Sequence, residues 1–464
     1  MRLFYSLMWW LALPLVLARL WLRGRKEPGY RQHWGERLGF YDRATASGAD
    51  GAVAGAAVTA AATAGSNAVN GAASAAAAVG AAGAPVLWVH AVSVGETRAA
   101  EPLVDALLAQ YPASRIILTH MTPTGRATGK ALFAKHGGRL VQSYLPYDLG
   151  SMVSRFIRHF RPQVCILMET EVWPNLIAVC GQQGVPVVLA NARLSERSLR
   201  KAARLGSLML DAARGISLVA AQTEADAQRV RSLGVQKVEV TGSIKFDVVV
   251  TDAALAVGAA LRAAIGERPV LLCASTREGE EELILSAFQQ DRAALPADVL
   301  LLIVPRHPQR FDEVEKMIAA RGMTVERRSR LALDGGAMPA AVEVLLGDSM
   351  GEMFAYYSAC DVAFVGGSLL PLGGQNLIEP AALGKPVLIG PHTFNFALVT
   401  EDALAAGGAQ RVADAAGLMS SAARLLSDTE ARAAMGRNAQ AFANQHRGAT
   451  RRTLALLPAL IQKV

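Results

Sequence analysis

From Leu3 to Ala18 the chain is uncharged and mostly apolar, and Arg19, Arg23, Arg25 and Lys26 follow. A bilayer span takes roughly 20 apolar residues. This run reaches that length only by including Arg19 and the apolar Leu20, Trp21 and Leu22. A secretory signal would carry its charge ahead of the run and a small-residue cleavage site behind it. Only Arg2 precedes the run, and no such site follows. Residues 1–26 are therefore read as a membrane anchor, either crossing the bilayer or lying in its interface. The cations on its far side keep the remaining chain cytoplasmic by the positive-inside rule. Residues 27–43 form a juxtamembrane segment. From 44 to 84 alanine dominates, mixed with Gly, Ser, Thr, Val and Asn. No apolar contrast at helical or strand period occurs there, so the stretch reads as a low-complexity insertion.

From Pro85 onward, short β-branched runs alternate with helical patterns. The first set of strands is Val86–Val94, Arg115–Met121, Val164–Met168, Val187–Ala190, Leu218–Gln222 and Val238–Gly242. After a helix over Thr251–Gly266, a second set comprises Val270–Ala274, Leu300–Val304, Val342–Leu346, Val362–Val365 and Val387–Ile389. Such alternation predicts parallel sheets with helices on both faces. The expected class is α/β, with two doubly wound, Rossmann-like domains over 85–250 and 251–464 facing a cleft. Ligands in such folds bind beyond the carboxyl ends of the strands.

Composition narrows the partners. Lys and Arg number 47 against 39 Asp and Glu, a net +8 that suits an anionic partner without choosing one. The basic residues do not interleave with aromatics, which disfavours nucleic acid. Four widely spaced cysteines in apolar runs point to core packing, neither a zinc site nor a disulfide framework. No phosphate-loop motif and no G-x-G-x-x-G after a strand are present. A dinucleotide cofactor is therefore disfavoured, and the Asp-x-Asp metal signature and H-E-x-x-H are missing too.

Polar residues cluster where strands end. Ser93-Val-Gly-Glu96 leads from a buried strand into a helix, which places a carboxylate at a helix start. Alone, Glu96 is equally a first-turn acid favoured by the helix dipole. Glu169 and Glu171 follow the strand Val164–Met168 and share parity in an extended chain, so their pKa values can be driven apart. Trp173-Pro-Asn175 then opens a helix. Asn191-Ala-Arg193 and Gly242-Ser-Ile-Lys245-Phe-Asp247 follow two further strands, and Lys245 can meet a phosphate. Pro305-Arg306-His307 offers a guanidinium fork. Gly347-Asp-Ser-Met350-Gly351-Glu352 leads into a helix whose N–H groups can seat an anion. Asn376-Leu377-Ile378-Glu379 follows a glycine-rich loop, where a carboxylate can hold ribose hydroxyls.

In this order, S-V-G-E, E-T-E-x-W-P-N, N-A-R-L-S, G-S-I-K-F-D, A-S-T-R-x-G-E, P-R-H-P, G-D-S-M-G-E, G-G-S and N-L-I-E-P resemble the 3-deoxy-D-manno-octulosonic acid (Kdo) transferases of lipopolysaccharide assembly. The resemblance implies a GT-B glycosyltransferase fold and residence at the inner membrane. It implies CMP-Kdo as donor, a lipid A precursor (lipid IVA) as acceptor, and no metal or other cofactor. It makes Glu96 the general base and places Glu169 and Lys245 at the transition state. The nucleotide would be held by Pro305 and Arg306, by Met350, Gly351 and Glu352, and by Asn376, Leu377, Ile378 and Glu379. Gln375 stands where the family often has His. Two other classes stay open: a GT-B enzyme using another sugar nucleotide, and a membrane-tethered glycolipid-binding protein without activity.

Overall fold

The computed structural model describes residues 1–41, 85–204 and 206–461. The alanine-rich stretch 44–84 lies outside them, so its reading as an insertion is neither supported nor opposed. The described chain divides into two compact units. The first takes Met1–Asp247 together with the terminal stretch from Gly448, and the second takes Val248–Arg447.

Each unit is built on a seven-stranded sheet in which every pairing is parallel. In the first, β1 (Val86–His90), β2 (Arg115–His120), β3 (Leu140–Tyr144), β4 (Val164–Met168), β5 (Val187–Ala192), β6 (Leu218–Ala221) and β7 (Val238–Val240) lie in the order β3-β2-β1-β4-β5-β6-β7. The second holds β8 (Val270–Thr276), β9 (Leu300–Pro305), β10 (Val325–Arg327), β11 (Val344–Leu346), β12 (Val362–Val365), β13 (Val387–Ile389) and β14 (Ala409–Arg411). Their order is β10-β11-β9-β8-β12-β13-β14.

Central strands of parallel sheets are covered on both faces, which is why they read as continuous apolar runs. All five residues of β4 are buried. Trp88 of β1 is fully buried against Phe156, with ring centroids 4.4 Å apart, and its indole N–H donates to Thr119 Oγ1 at 2.9 Å. The four cysteines are buried and unpaired, as expected. Strands β3, β10 and β14 were not expected, and each is an edge strand. An edge strand needs no second apolar neighbour, so L-V-Q-S-Y, V-E-R and A-Q-R carry little signal.

The domain boundary expected from sequence is corrected at the C-terminus. Residues from Gly448 return to the first unit and do not belong to a domain running over 251–464. Asp247 makes the joint: its two carboxylate oxygens accept the N–H groups of Gly448 and Thr450, each at 2.5 Å, at the start of the helix Ala449–Ala455. Ala449, Leu457 and Ile461 then pack into the same core as Leu103 and Ile244.

The sheet orders locate the sites. The direction in which successive strands are added reverses between β1 and β4 in the first unit and between β8 and β12 in the second, while the strands themselves stay parallel. Such switch points open a crevice at the carboxyl ends of the strands.

Candidate active site

At the first switch point, Glu96 follows β1 and Glu169 follows β4. Ser93 is the N-cap of the helix Val94–Gln110, and Glu96 sits in its first turn. Its Oε2 accepts the Val92 N–H at 2.8 Å and its Oε1 accepts the Ser93 hydroxyl at 3.4 Å. The carboxylate is thus folded back over the turn that precedes it. Burial pushes its pKa up to about 7. The Val92 hydrogen bond opposes this, and the negative charges of Glu171 and Glu169 add to it. Glu171 is also raised, chiefly by burial, with the charge of Glu169 adding. Three acids from two separate motifs therefore share one electrostatic environment.

Glu169 adopts φ +57, a left-handed conformation that costs a residue with a Cβ about 1–3 kcal/mol. Its N–H donates to Ala190 O at 2.9 Å, and its Oε1 lies 2.8 Å from Lys245 Nζ. The pair joins the ends of β4 and β7, which the sequence separates by about 70 residues. Lys245 rides on a single 3-10 turn, Ile244–Phe246. Asn191, itself at φ +54, accepts the Ile244 N–H on its Oδ1 at 3.0 Å. Arg452 of the returning helix donates to Thr241 O at 2.8 Å. The turn that carries the lysine is therefore held from both sides.

Behind Glu96 stands a support that sequence reasoning missed. Val92 O accepts the Met121 N–H at 3.2 Å, and Met121 O accepts Arg37 Nη2 at 3.1 Å. Arg37 is only 1% exposed, and its guanidinium lies 3.7 Å from the ring centroid of Tyr144. Beside it, Glu36 accepts Arg126 Nη1 at 2.5 Å and the Tyr144 N–H at 2.7 Å. The short turn Trp34-Gly-Glu-Arg37 thus links the juxtamembrane segment to the loop carrying Glu96. Its one visible signal was an adjacent acid and base beside Trp in a segment without apolar periodicity.

At the second switch point, β12 turns at Gly366, where a Cβ would meet Thr276 Cα at 2.7 Å. The fully buried Glu280 closes this crevice. It accepts the N–H groups of Gly367 at 2.6 Å, of Ser368 and Leu369 at 2.9 Å, and of Arg277 at 2.9 Å. Pro305 ends β9, and the Arg306 N–H donates to Thr276 O at 2.9 Å. The pKa of His307 is lowered by burial, with the positive charges of Arg277, Arg306 and Arg310 adding. Arg310 is committed to Glu281 and Glu313, at 3.2 and 3.3 Å. Arg277, Arg306 and Arg310 thus set a locally positive potential at His307.

The remaining expected donor residues divide. Asn376 Nδ2 donates to Glu379 Oε1 at 3.1 Å, and Asn376 Oδ1 accepts the Ile378 N–H at 3.0 Å, which holds that carboxylate at the start of the helix Ile378–Ala382. Leu377 and Ile378 are fully buried, so they reach a ligand only through the backbone. Met350 is exposed, and Gly351 adopts φ +84. The expected anion seat at Met350 is displaced: the helix begins at Met353 and runs only to Ala359. Glu352 stands at its N-cap, paired with Arg328 at 3.0 Å. Among the described residues, no three His, Cys, Asp or Glu side chains gather as metal ligands.

Comparison with known proteins identifies the family of the chain. A sequence model of the 3-deoxy-D-manno-octulosonic-acid transferases matches residues 32–248. The 3-deoxy-D-manno-octulosonic acid transferase of Bordetella pertussis is 50% identical over 379 residues, covering 81% of this chain and 87% of that protein. That of Haemophilus influenzae is 36% identical, covering 100% of this chain and 99% of its own length. The chain belongs to the Kdo transferase family. Solved structures agree on the fold. A glycosyltransferase from Rickettsia africae superposes with TM-score 0.54 at 13% identity, over 82% of this chain and all of that one. A UDP-GlcNAc 2-epimerase from Neisseria meningitidis gives TM-score 0.54 at 16% identity, over 80% of this chain and 99% of that one. At such identities the likeness concerns the GT-B fold alone, which this Kdo transferase family member shares.

Proposed function

We propose that the protein transfers Kdo from CMP-Kdo to a lipid A precursor, lipid IVA, by a single inverting displacement with Glu96 as general base. The observation that carries this reading is the Glu96 carboxylate, held near neutrality beside the Glu169–Lys245 pair. A base works best when its pKa lies near the operating pH. Glu96 takes the proton from an acceptor hydroxyl as that oxygen attacks the anomeric carbon of Kdo. The bond from that carbon to the CMP phosphate oxygen breaks, and CMP leaves with the electron pair. Lys245, oriented by Glu169, meets the negative charge that develops.

On the donor side, Pro305, Arg306, Met350, Gly351 and Glu352 hold the phosphate end, and Asn376 to Glu379 hold the nucleoside, with the Glu379 carboxylate on ribose hydroxyls. The scheme uses no metal, because side-chain cations supply the electrostatic help. The acceptor is a membrane lipid, which places the protein at the cytoplasmic face of the inner membrane. The helix Arg2–Arg23, long and apolar enough to cross a bilayer, supports that location. The test is a transfer assay with CMP-Kdo and lipid IVA. Wild type forms product, while Glu96→Ala forms none yet still binds CMP and folds. Transfer by Glu96→Ala within tenfold of wild type would remove Glu96 from this role.

A further inference from the structure

We propose that the N-terminal helix does not cross the bilayer but lies in the plane of one leaflet, between lipid and the folded first unit. The inference rests on the reading above that the protein works at a membrane. It decides how the protein sits there.

The helix Arg2–Arg23 is two-faced in an unusual sense, because both faces are apolar. One stripe packs on protein. Ser6 Oγ and Asn175 Nδ2 lie 3.1 Å apart, Trp9 sits 5.7 Å from Tyr147 between ring centroids, and Leu13 and Leu20 are buried with Tyr30, Leu149 and Met152. Contact therefore continues from Ser6 to Leu20, about 21 Å of helix at 1.5 Å per residue. A span needs about 30 Å of helix surrounded by hydrocarbon. Only Met1 to Tyr5 lie beyond the packed stretch, too few to cross. Moving the helix into a spanning position would take Asn175 away from Ser6 and uncover Leu149 and Met152.

The opposite face has no cover from the other described residues. Leu3, Leu7, Trp10, Leu11, Leu15 and Leu22 are each about half or more exposed. A helix on a water-facing protein surface carries polar residues there. This one has no charge between Leu3 and Ala18. Its C-terminal end is ringed by cations. Arg25 and Arg31 lie over the Trp21 ring, each 4.8 Å from its centroid, with Arg19 and Arg23 one turn or less away. Apolar residues beside tryptophan and arginine match the acyl–headgroup boundary of an anionic leaflet. The occupant of the open face is that leaflet.

Nitroxide depth measurements test the arrangement. Single cysteines replace Leu7, Leu11, Leu15 and Leu22 in the full chain, whose native cysteines are all buried. The labelled proteins are reconstituted in phosphatidylethanolamine–phosphatidylglycerol vesicles. An in-plane helix puts the four labels at one depth within a few ångströms. A spanning helix separates Leu7 from Leu22 by up to about 22 Å along the membrane normal. A graded depth overturns the proposal. So do water-like accessibility at all four sites and spin–spin broadening that reports a second copy on this face. Kdo transfer by the unlabelled protein in the same vesicles is a separate readout. Graded depth with transfer intact removes only the in-plane helix, whereas absent transfer removes the functional reading.

Discussion

Replacing Glu96 by Gln keeps the acceptor for the Val92 N–H and removes the ionisable group. Two consequences follow, with opposite signs. Loss of a general base lowers the transfer rate by about 10²–10⁴-fold. Stability moves the other way. The folded pKa of about 7 lies above the ordinary 4.5, so the folded state binds this proton more tightly than the unfolded chain. The stability from the protonated form is complete below pH 4.5 and is lost as pH rises through 7. At pH 8 the ionised wild-type carboxylate therefore costs the first unit on the order of 3 kcal/mol, at 1.36 kcal/mol per pH unit. Gln avoids that cost. The Glu96→Gln protein is expected to match wild type in thermal melts at pH 5 and to melt higher at pH 8. The rate of CMP release in the coupled transfer reaction, followed from pH 5 to 9, should rise with a midpoint near 7 in wild type and lose that limb in the variant. A variant that keeps the limb, or is less stable than wild type at pH 8, would refute the reasoning about this carboxylate.

Other outcomes follow from the same geometry. Lys245→Met strands the Glu169 carboxylate and removes the cation facing the reaction, so kcat should fall about 10²–10³-fold in steady-state transfer assays while CMP binding is kept. Arg37→Met should lower kcat more than KM and displace the pH midpoint from about 7, because Arg37 fixes the Met121–Val92 backbone behind Glu96. A purely structural role would leave that midpoint in place. Glu280→Ala leaves four backbone N–H groups without their acceptor, and denaturant titration should register a loss on the order of 3–5 kcal/mol in the second unit.

What could be read from the chain followed burial. Val164–Met168 and Val362–Val365 were bounded correctly because central parallel strands must be apolar throughout. Glu96, Glu169 and Lys245 stood out because they interrupt such runs at strand ends, and the structure gathers them at one switch point. The edge strands Leu140–Tyr144, Val325–Arg327 and Ala409–Arg411 gave no such contrast. Nor could local pattern tell that Gly448 and Thr450 come back to Asp247, a contact across about 200 residues. Arg37 was passed over for a related reason: a buried arginine is legible only through partners that lie elsewhere in the sequence. Leu377 and Ile378 entered the donor motif as letters. Their side chains belong to the core, and the motif's polar work falls to Asn376 and Glu379.

The central claim is that this chain moves Kdo from CMP-Kdo onto a lipid A precursor by the carboxylate at position 96. Mass spectrometry of lipid IVA incubated with CMP-Kdo and either wild-type or Glu96→Gln protein tests it most directly. The expected result is a mass gain of one or more whole Kdo residues with wild type, and unmodified lipid with the variant over the same time. An unmodified lipid with folded wild-type protein, or equal gain with the variant, would contradict it.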